Sequence, residues 1–355
     1  MIIETNHPLP LHPRPVVLVG AGGIANTAHL PAYRLAGFQV AGVYDIDQAR
    51  AAETARAFAI PAVYRTPEDM LDRLPGPVVF DLAIPGSAIL PLLRRLPEGA
   101  AVLMQKPMGE DLAMAREILS LTRERRMVAG VNFQLRYAPF IHAARTIIGR
   151  GLIGRLCEIE VNVNVHTPWN LWEFLYSLPR VEILYHSIHY IDLVRTFLGN
   201  PAGMYARTTR HPAMPELASV RSSIIMDYGE FVRANILTNH CHDFGLGRQH
   251  SYIRLEGDQG VILVRMGVLM DYPNGVPETF EFVTRGTGSA PVWKSLDIDG
   301  TWFPNGFIGS MAEVMRAAEG TIGQPDNSVE DAIQTMACVE AAYESNTRGG
   351  VRPDL

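Results

Sequence analysis

Three groups of residues in this chain have the types and spacing that chemistry needs. In the first, Gly20-Ala21-Gly22-Gly23-Ile24-Ala25 follows directly on the apolar run Val16-Val17-Leu18-Val19. A glycine turn between a strand and a helix lets backbone close on a pyrophosphate. Gly20 takes the tight turn, Gly22 allows the close approach, and Ala25 leaves room for the helix to lie against the strand. The free N–H groups and positive dipole end of that helix then face the anion. Asp45 closes the next apolar run, Val40-Ala41-Gly42-Val43-Tyr44, at the spacing where a carboxylate reaches ribose hydroxyls. Together these features predict a bound adenine dinucleotide. NAD is preferred because the acid repels a 2′-phosphate, and NADP stays open because Arg50 lies close by.

The second group is Gln105-Lys106-Pro107, which ends the apolar run Ala101-Val102-Leu103-Met104. Open α/β sheets bind ligands beyond the carboxyl ends of their strands, so Lys106 falls where a nicotinamide would lie. An ammonium held between an apolar strand and a positive ring should have a lowered pKa, suited to hydrogen-bonding or deprotonating a hydroxyl.

The third is the stretch 182–199, where helical spacing sets Leu184, Ile188, Ile191 and Arg195 on one mostly apolar stripe and Glu182, His186 and His189 on another face. Either imidazole could take the proton that leaves an alcohol. Glu182, His186 and His189 also have a spacing that a metal would tolerate, but no fourth ligand is suggested, and no metal is expected. Just upstream, Trp169 and Trp172 sit in an aromatic-rich segment that serves either as a platform for a sugar or cyclitol ring or as an interface cluster.

The elements that must position these groups fall into two regimes. Apolar runs at 16–19, 40–44, 78–83, 101–104 and 127–133 alternate with amphipathic stretches such as 46–58 and 111–125. That alternation predicts a doubly wound parallel sheet. Past Tyr137 the runs at 156–165, 219–226, 231–238, 251–255, 261–264 and 279–283 are separated by hairpin-like turns at 227–230 and 256–260. They predict an α+β domain with a mainly antiparallel sheet. The expected organisation is a loose tail over 1–13, a nucleotide domain over 14–137 and a second domain over 138–355.

A chain of 355 residues exceeds what a single core usually supports, which agrees with two domains. A net charge of −6 with no basic stretch argues against nucleic acid or an anionic membrane as partner. Cys157, Cys241 and Cys338 are far apart and odd in number, which suits free thiols in a reducing compartment. No stretch is apolar for long enough to span a bilayer, so a cytoplasmic protein is expected.

The glycine turn with His29 and Pro31 behind it, Ala83-Ile84-Pro85, Gln105-Lys106-Pro107, Phe133-Gln134-Leu135-Arg136-Tyr137 and His189-Tyr190-Ile191-Asp192 occur here in one order. In that order they resemble the Gfo/Idh/MocA family of oxidoreductases. The resemblance also takes in Glu313, Ser328-Val329-Glu330-Asp331 and Glu340-Ala341-Ala342-Tyr343-Glu344-Ser345. It implies an N-terminal Rossmann domain, a C-terminal α+β domain with a large open sheet, and homodimers or homotetramers formed through that sheet. It further implies that Gly20, Gly22, Gly23, Ile24, Asp45, Ile84, Pro85, Gln105, Lys106 and Gln134 hold the cofactor. Substrate would be held by Lys106, Arg136, Trp169, Trp172, His186 and His189. By the same resemblance Lys106 contacts the reacting hydroxyl and His189 accepts the proton.

Departures from the family pattern matter as well. Gln105 replaces a glutamate, Ile89 stands where a histidine is common, and Tyr185 stands where an aspartate precedes the histidine by four residues. Tyr185 or His186 is therefore expected to orient the substrate. The expected activity is hydride transfer between the nicotinamide and a carbon of a sugar, sugar derivative or cyclitol. The alternatives are glycoside hydrolysis by transient oxidation on a recycled cofactor, or binding without catalysis.

Overall fold

A computed structural model describes residues 3–286 and 290–353; residues 1–2 of the expected tail and 354–355 of the expected second domain lie outside it. The chain forms two compact units. Asn6–Pro139 with Trp302–Met336 makes one, and Phe140–Thr301 with the residues from Ala337 on and the first few up to Thr5 makes the other.

The first unit holds six parallel strands: β1 (Val16–Val19), β2 (Val40–Tyr44), β3 (Ala62–Tyr64), β4 (Val79–Leu82), β5 (Ala101–Met104) and β6 (Val128–Val131), in the order β3-β2-β1-β4-β5-β6. This is the doubly wound dinucleotide order, which reverses direction between β1 and β4. Strands β1, β4 and β5 are buried at every position, which is why they read as unbroken apolar runs rather than alternating ones. Asp47 caps the helix Gln48–Phe58 through the N–H groups of Ala49 and Arg50, and Asp111 caps Leu112–Glu124 through Met114. The sequence reading missed β3, whose three residues are too few to show a period.

Two expectations about domain limits are corrected. The break observed at Pro139 lies beside the one expected at residue 137, but the second region does not run unbroken to the C-terminus, because the helix Asn305–Ala318 packs into the first core: Phe307, Met311, Val314 and Met315 join Val16, Leu18, Val79 and Leu103. Gly306 and Gly309 permit the approach, since a Cβ on Gly309 would lie 2.5 Å from the Tyr137 side chain. Nor is the described chain from His7 to His12 loose. Leu11 and His12 donate their backbone N–H groups to the Glu319 carboxylate at 3.0 and 2.8 Å, and His7 Nε2 lies 2.9 Å from Glu313 Oε1.

The second unit carries eight strands: β7 (Leu156–Asn164), β8 (Gly203–Thr209), β9 (Arg221–Asp227), β10 (Arg233–Asn239), β11 (His250–Gly257), β12 (Gly260–Arg265), β13 (Thr279–Thr284) and β14 (Lys294–Leu296). Their order is β14-β13-β12-β11-β7-β10-β9-β8, antiparallel throughout except where β7 meets β10 in parallel. Burial alternates along β9, β10 and β11, so one face is buried while the other displays Ile225 and Leu237. No helix of the described residues is long and apolar enough to cross a membrane. All three cysteines are free thiols.

Candidate active site

In the first unit the glycine turn has the predicted form. Gly20 sits at φ +96°, and a Cβ there would lie 2.4 Å from the Ala83 carbonyl oxygen and 2.9 Å from the Ile84 side chain. Only glycine fits that position. The helix opens at Gly23 and passes through a π-helical stretch, Ala25–His29, into Leu30–Ala36. Beyond Gly22 and Gly23 the space is open, with nothing within 4 Å of where a Cβ would stand. This is a cradle that backbone N–H groups surround and side chains leave clear.

Asp45 is buried at the end of β2, where it accepts the N–H of Ala21 at 2.7 Å and that of Asp47 at 2.8 Å. Its carboxylate therefore pins the glycine turn and keeps lone pairs for ribose hydroxyls. Gln134 is also buried, and its Oε1 has no hydrogen-bond partner among the described residues. Such an atom fits a polar ligand better than an empty interior. The open cradle, the acid and the orphaned amide oxygen all suit NAD. A Gly22→Ala variant should keep the wild-type melting temperature yet bind NADH about tenfold more weakly or worse. Gly20→Ala should lose both. Calorimetric titration and thermal melts on the pair separate crowding of the ligand from damage to the turn.

Beneath the strand ends lies a buried polar network that sequence reading did not assemble. His29 Nδ1 meets Asp81 Oδ2 at 2.8 Å, and the Tyr33 hydroxyl donates to the same oxygen at 2.7 Å. Gln105 Nε2 lies 3.3 Å from His29 Nε2, with Asn132 Nδ2 at 3.4 Å. Both amide groups are donors, so His29 Nε2 accepts and Nδ1–H donates to Asp81. That tautomer gives the departure at Gln105 a physical reason, because an amide can donate to the imidazole where an ionised glutamate could not. Gln105 Oε1 in turn accepts the Lys106 backbone N–H at 2.9 Å. The residue before Lys106 is thereby fixed. Lys106 itself is half-buried, and burial lowers its pKa from the usual 10.5 to about 8.

In the second unit the histidine helix does not begin as a regular α-helix. Residues Ile183–Ser187 form a π turn before the α-helix Ile188–Leu198. The wider turn carries Ser187, five residues on, to Glu182, whose Oε1 accepts the Ser187 hydroxyl at 2.7 Å. Ser222 donates its hydroxyl to Glu182 Oε2, and His240 Nε2 lies 3.3 Å from Oε1. Burial pushes the Glu182 carboxyl up, but the hydrogen bonds from His240, Ser222 and Ser187 outweigh it and hold the pKa below the ordinary glutamate value. The His186 and His240 rings lie 4.0 Å apart, and Trp169 meets them edge-on at 6.3 and 5.3 Å.

The predicted residues thus separate by role. Within the first unit Gly20, Gly22, Asp45 and Ile84 come together, with Pro85 starting the next helix and Gln105 and Lys106 closing β5. Arg136 departs from expectation. Its guanidinium is buried, donates to the Asp326 carbonyl at 2.6 Å and to the Asp331 carboxylate, and so braces the chain rather than facing a substrate. In the second unit Glu182 and His186 converge as a pair, but the third member is His240, not His189. The π turn is the reason, because it breaks the regular spacing that had put His189 on their face. His189 and Tyr185 are buried on the same segment, and Tyr185 packs edge-on to Phe174 at 5.6 Å. Trp169 faces inward at 3 % exposure and packs edge-on to the histidines, which goes against the open platform, one of the two readings held for it; Trp172 stays half-buried against Tyr272. Asp81, Asn132, Ser222 and His240 were missed. Only His240-Cys241-His242, three ligand-type residues just past a strand run, offered a signal.

Comparison with known proteins shows the family. Residues 14–133 match an oxidoreductase family with an NAD-binding Rossmann fold, and residues 145–352 match the C-terminal alpha/beta domain of the same family. A D-apiose dehydrogenase of Paraburkholderia graminis is 24% identical over 358 residues, covering 94% of this chain and 87% of that protein. A 1,5-anhydro-D-fructose reductase of Ensifer adhaerens is 27% identical over 335 residues, covering 94% and 96%. Among solved structures, a levoglucosan dehydrogenase in complex with NADH and levoglucosan superposes with a TM-score of 0.76 at 18% identity, covering 95% of this chain and 98% of that one.

Proposed function

The chain belongs to the Gfo/Idh/MocA oxidoreductase family and binds NAD on its Rossmann unit, and on that premise we propose that it moves a hydride between NAD and a ring carbon of a sugar or sugar derivative. The observation that carries the reading is Lys106. A half-buried ammonium with a pKa near 8 follows the carboxyl end of β5, in the same unit as the open dinucleotide cradle and at the sheet end where the fold binds ligands. NAD, when bound, supplies the hydride acceptor or donor. Among the chain's own groups, Lys106 is the candidate to polarise the reacting oxygen and His189 the candidate proton carrier. Relatives of similar length that act on apiose and anhydrofructose support a sugar as substrate.

A panel of sugars, cyclitols and their keto forms, followed by NADH absorbance in both directions, tests the proposal. Sustained NADH formation or consumption with a member of the panel is expected. Hydrolysis on a recycled cofactor would release product with no net NADH and would replace the reading.

Lys106 adds a pH signature. As an ammonium it polarises a keto oxygen, so in the reducing direction kcat/KM should fall as pH rises through about 8 and the charge is lost. Lys106→Arg, charged throughout, should remove that alkaline limb at a lower overall rate. We further propose association through the exposed sheet face bearing Ile225 and Leu237, which light scattering on an Ile225→Asp, Leu237→Asp variant checks by loss of the oligomer.

A further inference from the structure

The second unit contains a cluster that hydride transfer does not require. Glu182, His186 and His240 each present one ligand atom, and the three atoms lie within 4.8 Å of one another. Glu182 and His240 are fully buried, whereas His186 keeps some exposure.

Each ligand is oriented from behind. Thr167 Oγ1 lies 2.8 Å from His240 Nδ1, and the Thr167 backbone N–H donates to the His240 carbonyl at 3.0 Å. That leaves His240 Nε2 facing the carboxylate. Glu182 is held by the Ser187 and Ser222 hydroxyls, one on each oxygen. Tyr190 approaches His186 through its hydroxyl at 3.5 Å from Nδ1. The Thr167 contact lies on the His240 nitrogen turned away from the carboxylate, the kind of support that orients a ligating imidazole.

The spacing is equally telling. The hydrogen bond between His240 Nε2 and Glu182 Oε1 is long at 3.3 Å, against ~2.7–2.9 Å for a charge-assisted N–H···O bond. Two ligands about 2.0–2.1 Å from a tetrahedral cation are separated by roughly 3.3 Å. A fully buried carboxylate also needs positive charge beside it, and Trp169 shuts water away from that side. Two imidazole nitrogens with a single carboxylate favour zinc over calcium or magnesium, which take oxygen donors.

We propose that Glu182, His186 and His240 bind one divalent transition-metal ion of the zinc class, with a fourth position on the side of the partly exposed His186 open to water or a substrate hydroxyl. The site is independent of whether sugar oxidation is the reaction. Purified protein is stripped with a chelator, reloaded with zinc or cobalt, desalted, and assayed for metal by elemental analysis. One equivalent is expected to remain, the cobalt form should show the visible absorption of a tetrahedral ion, and zinc should raise the melting temperature. His240→Ala and His186→Ala should lose the metal, whereas His189→Ala should keep it. Substoichiometric metal in the folded wild-type chain, no visible cobalt band, or full retention by folded His186→Ala would overturn the proposal and leave Glu182–His240 as a buried ion pair. The cobalt band is read on the wild type, so the test survives a variant that fails to fold.

Discussion

Replacing His189 with alanine is expected to lower kcat about 10²- to 10⁴-fold, the usual contribution of a positioned acid or base and equivalent to about 3–5 kcal/mol of barrier. NADH affinity should hardly change, because the groups proposed to hold the nucleotide are Gly20, Gly22 and Asp45. Lys106→Met should cause a loss of similar size with a different companion effect. Burial works against the Lys106 ammonium, shifting its pKa from 10.5 to about 8, so between those values the unfolded chain binds the proton and the folded chain does not. Folding stability contributed by this group therefore rises with pH across that window and is lowest at neutral pH. A methionine keeps the apolar stem and removes the charge, so the variant should be more stable at pH 7 by about 1–2 kcal/mol, a figure reduced from the full shift because the side chain is partly exposed. Steady-state kinetics beside urea melts check both. Wild-type turnover in either variant would remove that residue from the mechanism, and a destabilised Lys106→Met would contradict the strain attributed to it.

The second large effect belongs to Asp81. It is fully buried on β4 and takes both the His29 Nδ1–H and the Tyr33 hydroxyl on one oxygen. Burial, followed by the Asp81 charge and hydrogen bond, raises the Tyr33 pKa well above its usual value, so the phenol stays protonated and donates. Asp81→Ala would strand two buried donors, at about 1–3 kcal/mol each, and should destabilise the first unit by about 3–5 kcal/mol in urea denaturation. Its second consequence is positional. His29 accepts from Gln105, whose side-chain oxygen fixes the Lys106 backbone, so KM should rise along with the loss of stability. Tyr33→Phe removes one donor and leaves the His29 bond, and a loss of only about 1 kcal/mol is expected. Equal losses in the two variants would show that the His29–Asp81 contact contributes nothing.

Much of the candidate site could be proposed from the sequence because its signals are local. Gly20 must be glycine for a reason set by its own φ and the next strand, Asp45 follows its strand at a fixed distance, and Lys106 ends an apolar run, so strand, turn and chemistry share a few adjacent residues. The same locality exposed β7 and β9 to β13 of the second unit, while β8, whose seven residues are never fully buried, escaped. Very short strands such as β3 and β14 escaped, since three residues define no period.

What failed to show were contacts that close over long stretches of chain. Asp81 reaches His29 across 52 residues, Glu182 reaches His240 across 58, and Arg136 is claimed by Asp331 across 195. No spacing rule connects such partners, because their meeting depends on strand order and on how the chain returns to a core. The π turn at Ile183–Ser187 is the sharpest case. The sequence by itself determined two folding regimes, a dinucleotide turn and a lysine and histidines available for proton chemistry. Only the tertiary structure decided that His240 rather than His189 joins Glu182 and His186, that Arg136 is a brace, and that residues 302–336 complete the nucleotide unit. Local backbone preference is written residue by residue, whereas burial and pairing are properties of the packed chain.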